Sequence, residues 1–145
     1  MANTSPIFTG TPDVQWGTAD GNGGSAGPLK TQNTALDGTG TVLTVFTADA
    51  TNGGFVQRLR VKSAGGNIAT VLRMFINNGC TNATIANNAF IDELSLPITT
   101  SSASSATTTW EIPLNMALPA GYKINVTLGT TVAAGYVISV FGGKY

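Results

Sequence analysis

From residue 39 to the end, apolar and polar positions fall in short runs with the period of a β-strand, and no stretch sustains the 3.6-residue period of a helix. Thr39–Ala48 (TGTVLTVFTA) is β-branched and apolar on both faces, the pattern of a central strand. Phe55–Lys62 (FVQRLRVK) alternates: Phe55, Leu59 and Val61 are expected on one face with Gln57, and Arg58, Arg60 and Lys62 on the other with Val56. Ile68–Ile76 is apolar on both faces apart from Thr70 and Arg73, and Arg73 is expected to extend the basic stripe. Phe90–Leu96 ends at Pro97, and Trp110–Ala117 alternates around Pro113, a residue that marks an edge strand or bulge. Tyr122–Leu128 and Tyr136–Phe141 complete the set. Turn chemistry separates the runs at Asp49–Gly54, Ser63–Asn67 and Leu118–Gly121, while Asn77–Asn88 and Thr99–Thr109 read as polar loops facing solvent or a neighbour. Seven or eight short strands at this spacing predict an all-β fold: sandwich, jelly roll or barrel.

Residues 1–38 read differently. Glycine is dense between Asp20 and Pro28, and the apolar residues Ile7, Phe8, Val14, Trp16, Leu29 and Leu36 stand isolated. Such a segment buries too little to order alone. It is expected to be an arm, ordered mainly on partners and anchored by Ile7, Phe8 and Trp16, with short edge strands around Val14–Trp16 and Leu29–Thr31. The expected division is therefore an arm over 1–38 and a β-sandwich core over 39–145.

Composition narrows the function. The 145 residues suit one domain, with seven Lys/Arg against seven Asp/Glu, no His and one Cys. A neutral chain lacks the basic surplus of a nucleic-acid binder. Triads, dyads and zinc sites that need His are excluded, as is an internal disulfide. Charged residues are 10% of the chain, against about 25% in ordinary domains, and the mean hydropathy is +0.17. A Thr-, Asn-, Ser- and Gly-rich surface suits burial against other protein. No run is long enough to cross a bilayer as a helix, and no basic, apolar leader opens the chain.

Motifs with chemistry are weak. Gly21–Ala26 satisfies the loose dinucleotide fingerprint, but Pro28 follows and no helix periodicity receives a pyrophosphate. Asp92 and Glu93 fall on opposite faces of one strand, the wrong geometry for a catalytic carboxylate pair with Glu111. Cys80 sits among Asn, Gly and Thr with no cation beside it in sequence, so it reads as a passive thiol. Arg58, Arg60 and Lys62 form the one charged constellation with a use: a strip that docks on an acidic protein surface. No catalytic, cofactor or metal residue is expected.

Three blocks carry a resemblance: Asn33–Val42 (NTALDGTGTV), Ala69–Gly79 (ATVLRMFINNG), and Leu118–Ile124 (LPAGYKI) through Thr130–Tyr136 (TTVAAGY). Together they resemble small β-rich virion structural proteins of tailed bacteriophages, most of all capsid decoration (cement) proteins. The resemblance implies a jelly-roll-like antiparallel sandwich on the outer capsid surface, assembled in the bacterial cytoplasm. Its implied partners are the major capsid protein and its own copies, as a homotrimer, without nucleic acid or membrane. The expected docking residues are Ile7, Phe8, Trp16, Arg58, Arg60 and Lys62. The alternative is a tail or fibre module that grips receptor glycans through its Asn- and Thr-rich loops, with Trp110 or Tyr136 stacking on sugar.

Overall fold

The computed structural model describes residues 11–16, 18–19 and 28–145. Its strands are β1 (Thr11–Trp16), β2 (Thr18–Ala19), β3 (Leu43–Thr47), β4 (Gly54–Ser63), β5 (Thr70–Asn77), β6 (Asn88–Leu96), β7 (Thr109–Leu118), β8 (Lys123–Leu128) and β9 (Tyr136–Lys144). A single 3₁₀ turn over Ile85–Asn87 is the one helical element among the described residues. The strands form two antiparallel sheets, β1-β9-β4-β7 and β2-β3-β8-β5-β6. The pairs β1–β9, β3–β8, β4–β7 and β5–β6 are nested, so the chain pairs like one long hairpin whose tip is the segment between β5 and β6. Contacts β4–β9 and β5–β8 fold that hairpin over into a sandwich.

The inner faces meet in one core. Leu43, Val45 and Phe46 of β3, Leu72 and Met74 of β5, and Ile124, Val126 and Leu128 of β8 pack against Val56, Leu59 and Val61 of β4 and Ile138 and Val140 of β9. At roughly 1.5–3 kcal/mol for each large apolar side chain fully buried, this contact is the main favourable term of folding. The flank formed by edge strands β6 and β7 is less closed: Ile91, Leu94, Trp110, Ile112, Leu114 and Met116 touch the core and stay half-exposed.

Two expectations need correction. Val56 is fully buried, while Phe55 is only partly so, the reverse of strict alternation. A bulge explains it. Between Val56 and Arg58, β4 advances two residues while β9 advances one, from Gly142 to Phe141, and β7 runs from Met116 to Pro113. The extra residue switches the inward phase from Val56 to Leu59 and Val61. Asn115 takes a left-handed φ of 46° in the same irregularity. Gly142 is required there, since a Cβ would stand 2.1 Å from the Phe55 carbonyl oxygen. Arg73, secondly, does not extend the basic stripe: it belongs to β5 in the other sheet, where its Nε is 3.6 Å from Glu93 Oε2.

Part of the segment read as an arm belongs to the sandwich. β1 and β2 each form one edge of a sheet, opposite β7 and β6. Leu29 exchanges backbone hydrogen bonds with Tyr136 at 2.8 and 3.0 Å, and the Asn33 N–H donates to the Leu128 carbonyl at 2.8 Å. Buried Asn33 then donates its amide to the Thr39 and Thr41 carbonyls, closing the turn that leads into β3.

One buried polar knot ties the loops at one end of the sandwich. Asn67 donates to Ser63 Oγ at 2.9 Å and the Gly135 carbonyl at 3.0 Å, and its Oδ1 accepts the Ala134 and Gly135 N–H groups at 2.8 Å each. Tyr136 lies fully buried beside it, and its hydroxyl has no hydrogen-bond partner among the described residues. Burial raises the Tyr136 phenol above its ordinary range, with Thr99 and Asn67 pulling more weakly the other way. A raised acid keeps its stabilising neutral form below the unfolded value and loses it as pH climbs, so stability is full at neutral pH and falls above about pH 10. Removing the amide orphans buried backbone groups, whereas removing the hydroxyl orphans none. Asn67→Ala is therefore expected to cost about 2–4 kcal/mol in urea unfolding. Tyr136→Phe should cost under about 1 kcal/mol and weaken the alkaline decline of the melting temperature.

Candidate docking face and polar pocket

The phase switch in β4 turns Arg58, Arg60 and Lys62 away from the core together. Backbone register sets them in three rows across the four-stranded sheet: Thr109–Lys62–Val137, Glu111–Arg60–Ser139–Trp16 and Pro113–Arg58–Phe141–Val14. Trp16 thus shares a row with Arg60, while Ile7 and Phe8 lie outside the described residues. Arg60 donates from Nε to Glu111 Oε1 at 3.0 Å, and its Nη2 is 2.8 Å from the same oxygen. Arg58 Nε stands 3.8 Å from that oxygen, beyond hydrogen-bond reach. Both guanidiniums lie over the Phe141 ring, 4.7 Å and 5.5 Å from its centroid. Lys62 Nζ donates to the Thr107 carbonyl and, at 3.2 Å, to Thr109 Oγ1.

These contacts hold long side chains in place without contributing much to stability. Half-exposed ion pairs are worth up to about 1 kcal/mol, and exposed cation–π contacts about 0.5–1 kcal/mol. The ring and the carboxylate fix the arginine rotamers in advance, which lowers the entropy cost of docking. Among the described side chains of this face three cations meet one carboxylate, a positive surplus on a chain with no net charge.

The opposite outer face carries a feature that the sequence reading missed. On the five-stranded sheet, Thr44, Asn125 and Asn77 are buried although their strands' inner faces are apolar. They form the floor of a polar cavity of about 280 Å³, walled by Cys80, Asn82 and Lys123. The wall is the segment read as a solvent loop, and asparagine side chains lock it. Asn77 Nδ2 donates to Asn88 Oδ1 at 2.9 Å, Asn78 Nδ2 to Asn87 Oδ1 at 3.0 Å, and Asn82 Nδ2 to the Gly40 carbonyl at 2.8 Å. Gly79, at φ 90°, lets the loop close on the turn before β8: a Cβ there would stand 2.7 Å from the Gly121 oxygen. Alternating Asn and Thr along β8 was the one sequence signal for a covered polar face.

Other candidates fall where chemistry is weaker. Tyr136 is in the core, with Trp110 edge-on to it at 6.2 Å, so Tyr136 offers no ring for a sugar to stack on. Asp92 and Glu93 are exposed on β6, and Glu93 is engaged with Arg73. Among the described residues no three His, Cys, Asp or Glu side chains converge on a metal position, and no helix is long and apolar enough to cross a membrane. No protein-family model matches the chain, and no curated protein matches it in sequence.

If the arginine pair is a positioned surface feature, its carboxylate is dispensable for folding. Glu111→Gln should change unfolding free energy by less than about 1 kcal/mol. By NMR the same variant should shift the Arg60 Nε–Hε signal far more than that of Arg73.

Proposed function

We propose that the protein is a non-enzymatic virion component of a tailed bacteriophage, a capsid decoration (cement) protein on the outer capsid surface. In this reading the face around Arg58, Arg60 and Lys62 docks on an acidic patch of the major capsid protein, helped by Trp16 in the same register and by Ile7 and Phe8 of the N-terminal segment. The observation that carries it is the basic stripe itself: three cations on one outer sheet face, two of them held over the Phe141 ring, in a chain that otherwise has little charge. Electrostatic complementarity of this kind selects a partner and speeds encounter more than it tightens a single site, so firm attachment rests on many copies.

The nested pairing supports a jelly-roll winding. With the two-residue β2 set aside, the sheets read β1-β9-β4-β7 and β3-β8-β5-β6, the order produced when one long hairpin is rolled into two Greek keys. The half-exposed apolar flank along β6 and β7 is where copies of the chain would cover one another in a homotrimer. The reading gives the protein no catalytic, cofactor or metal role, and no partner in nucleic acid or membrane.

Particles depleted of the protein provide the assay. Purified full-length protein should rebind to them at saturating occupancy. Arg58→Ser/Arg60→Ser/Lys62→Ser should keep the fold and lose occupancy at least tenfold, and rebinding should weaken as salt rises. Undiminished occupancy of that variant would overturn the docking role.

A further inference from the structure

We infer that the polar cavity on the outer face of the five-stranded sheet binds a small carboxylate rich in hydroxyls, chemically a sugar acid, either free or at the end of a polysaccharide. The inference does not rest on the docking role, which uses the other sheet. A volume of about 280 Å³ lies just under the range of drug-sized sites, ~300–1,000 Å³. It admits one sugar ring.

The lining decides the chemistry. Among the described residues Lys123 is the one charged member of the wall, and it makes no ion pair with any of them. A neutral ligand would leave that ammonium without a counter-charge, and a phosphate dianion would meet a single cation. Asn125 is 2% exposed; its Oδ1 accepts a hydrogen bond from the Thr44 hydroxyl at 2.7 Å, and its amide nitrogen, which donates to no described residue, is open to the cavity. A ligand oxygen there replaces a solvating water as the acceptor of that N–H. Among the described residues no aromatic side chain lines the cavity, so a nucleobase finds none of them to stack on. What remains is one negative charge for Lys123 and several hydroxyls or ring oxygens for Asn125, Thr44 and Asn82. The amide-locked loop over Asn77–Asn88 holds the wall before any ligand arrives, and such pre-organisation lowers the cost of binding.

Cys80 makes the test direct, because it is the only cysteine of the chain, lies exposed in the wall and reports occupancy without mutation. Sodium glucuronate, titrated into the full-length protein, should bind saturably by calorimetry. At saturation it should slow Cys80 alkylation by iodoacetamide at least threefold, whereas glucose at the same concentration should not. Lys123→Met, with its fold checked by melting temperature, should weaken glucuronate about tenfold. Should that variant misfold, the alkylation comparison on the native chain decides alone. Methyl glucuronide and a glucuronate-ended oligosaccharide separate the sources: retained binding of both points to a chain end, and loss of both points to the free acid. Absence of saturable binding, equal protection by glucose, or an unchanged affinity in a folded Lys123→Met protein would overturn the assignment.

Discussion

One extra residue in β4 governs both faces of the four-stranded sheet. Because side chains alternate with a period of two, a strand that packs Val56 inward would also send Arg58, Arg60 and Lys62 inward, a burial of three cations that no core tolerates. The bulge at Gln57 resolves the conflict: Val56 stays in the core on one side of it, and Leu59 and Val61 on the other. The same irregularity brings Phe141 under the two guanidiniums and needs Gly142 for the close approach of Phe55. Core packing and surface chemistry are thus two results of a single register change.

Much of the strand pattern was legible because period-two alternation is strong wherever one face is apolar. Trp110, Ile112, Leu114 and Met116 alternate on β7 as their spacing predicts, and Pro113 lies on an edge strand, where proline is tolerated. The bulges were not legible. Nothing local in Phe55–Lys62 distinguishes a strict strand from one with an inserted residue, since the choice depends on partners β7 and β9, which begin at Thr109 and Tyr136, far along the sequence. The sheet to which Arg73 belongs is likewise a matter of topology rather than of local pattern.

The polar pocket escaped for a different reason. A run such as Asn77–Asn88 has the composition of a solvated loop, and composition cannot tell amides spent on water from amides spent on one another. In the folded chain they satisfy the loop's own backbone and build a fixed wall over β3, β8 and β5. The two outer faces therefore differ in kind: one offers positioned charge over a broad sheet, and the other a small polar pocket. That division suits a protein that binds a large surface by one face and a small molecule by the other.

The most direct measurement of the docking account is arginine footprinting on intact particles. Phenylglyoxal modification, read by mass spectrometry, compares free protein with particle-bound protein. The account predicts that Arg58 and Arg60 become protected on the particle while Arg73, on the opposite sheet, reacts as it does in solution. Equal reactivity of Arg58 and Arg60 in the two states, or protection of Arg73 alone, would contradict it.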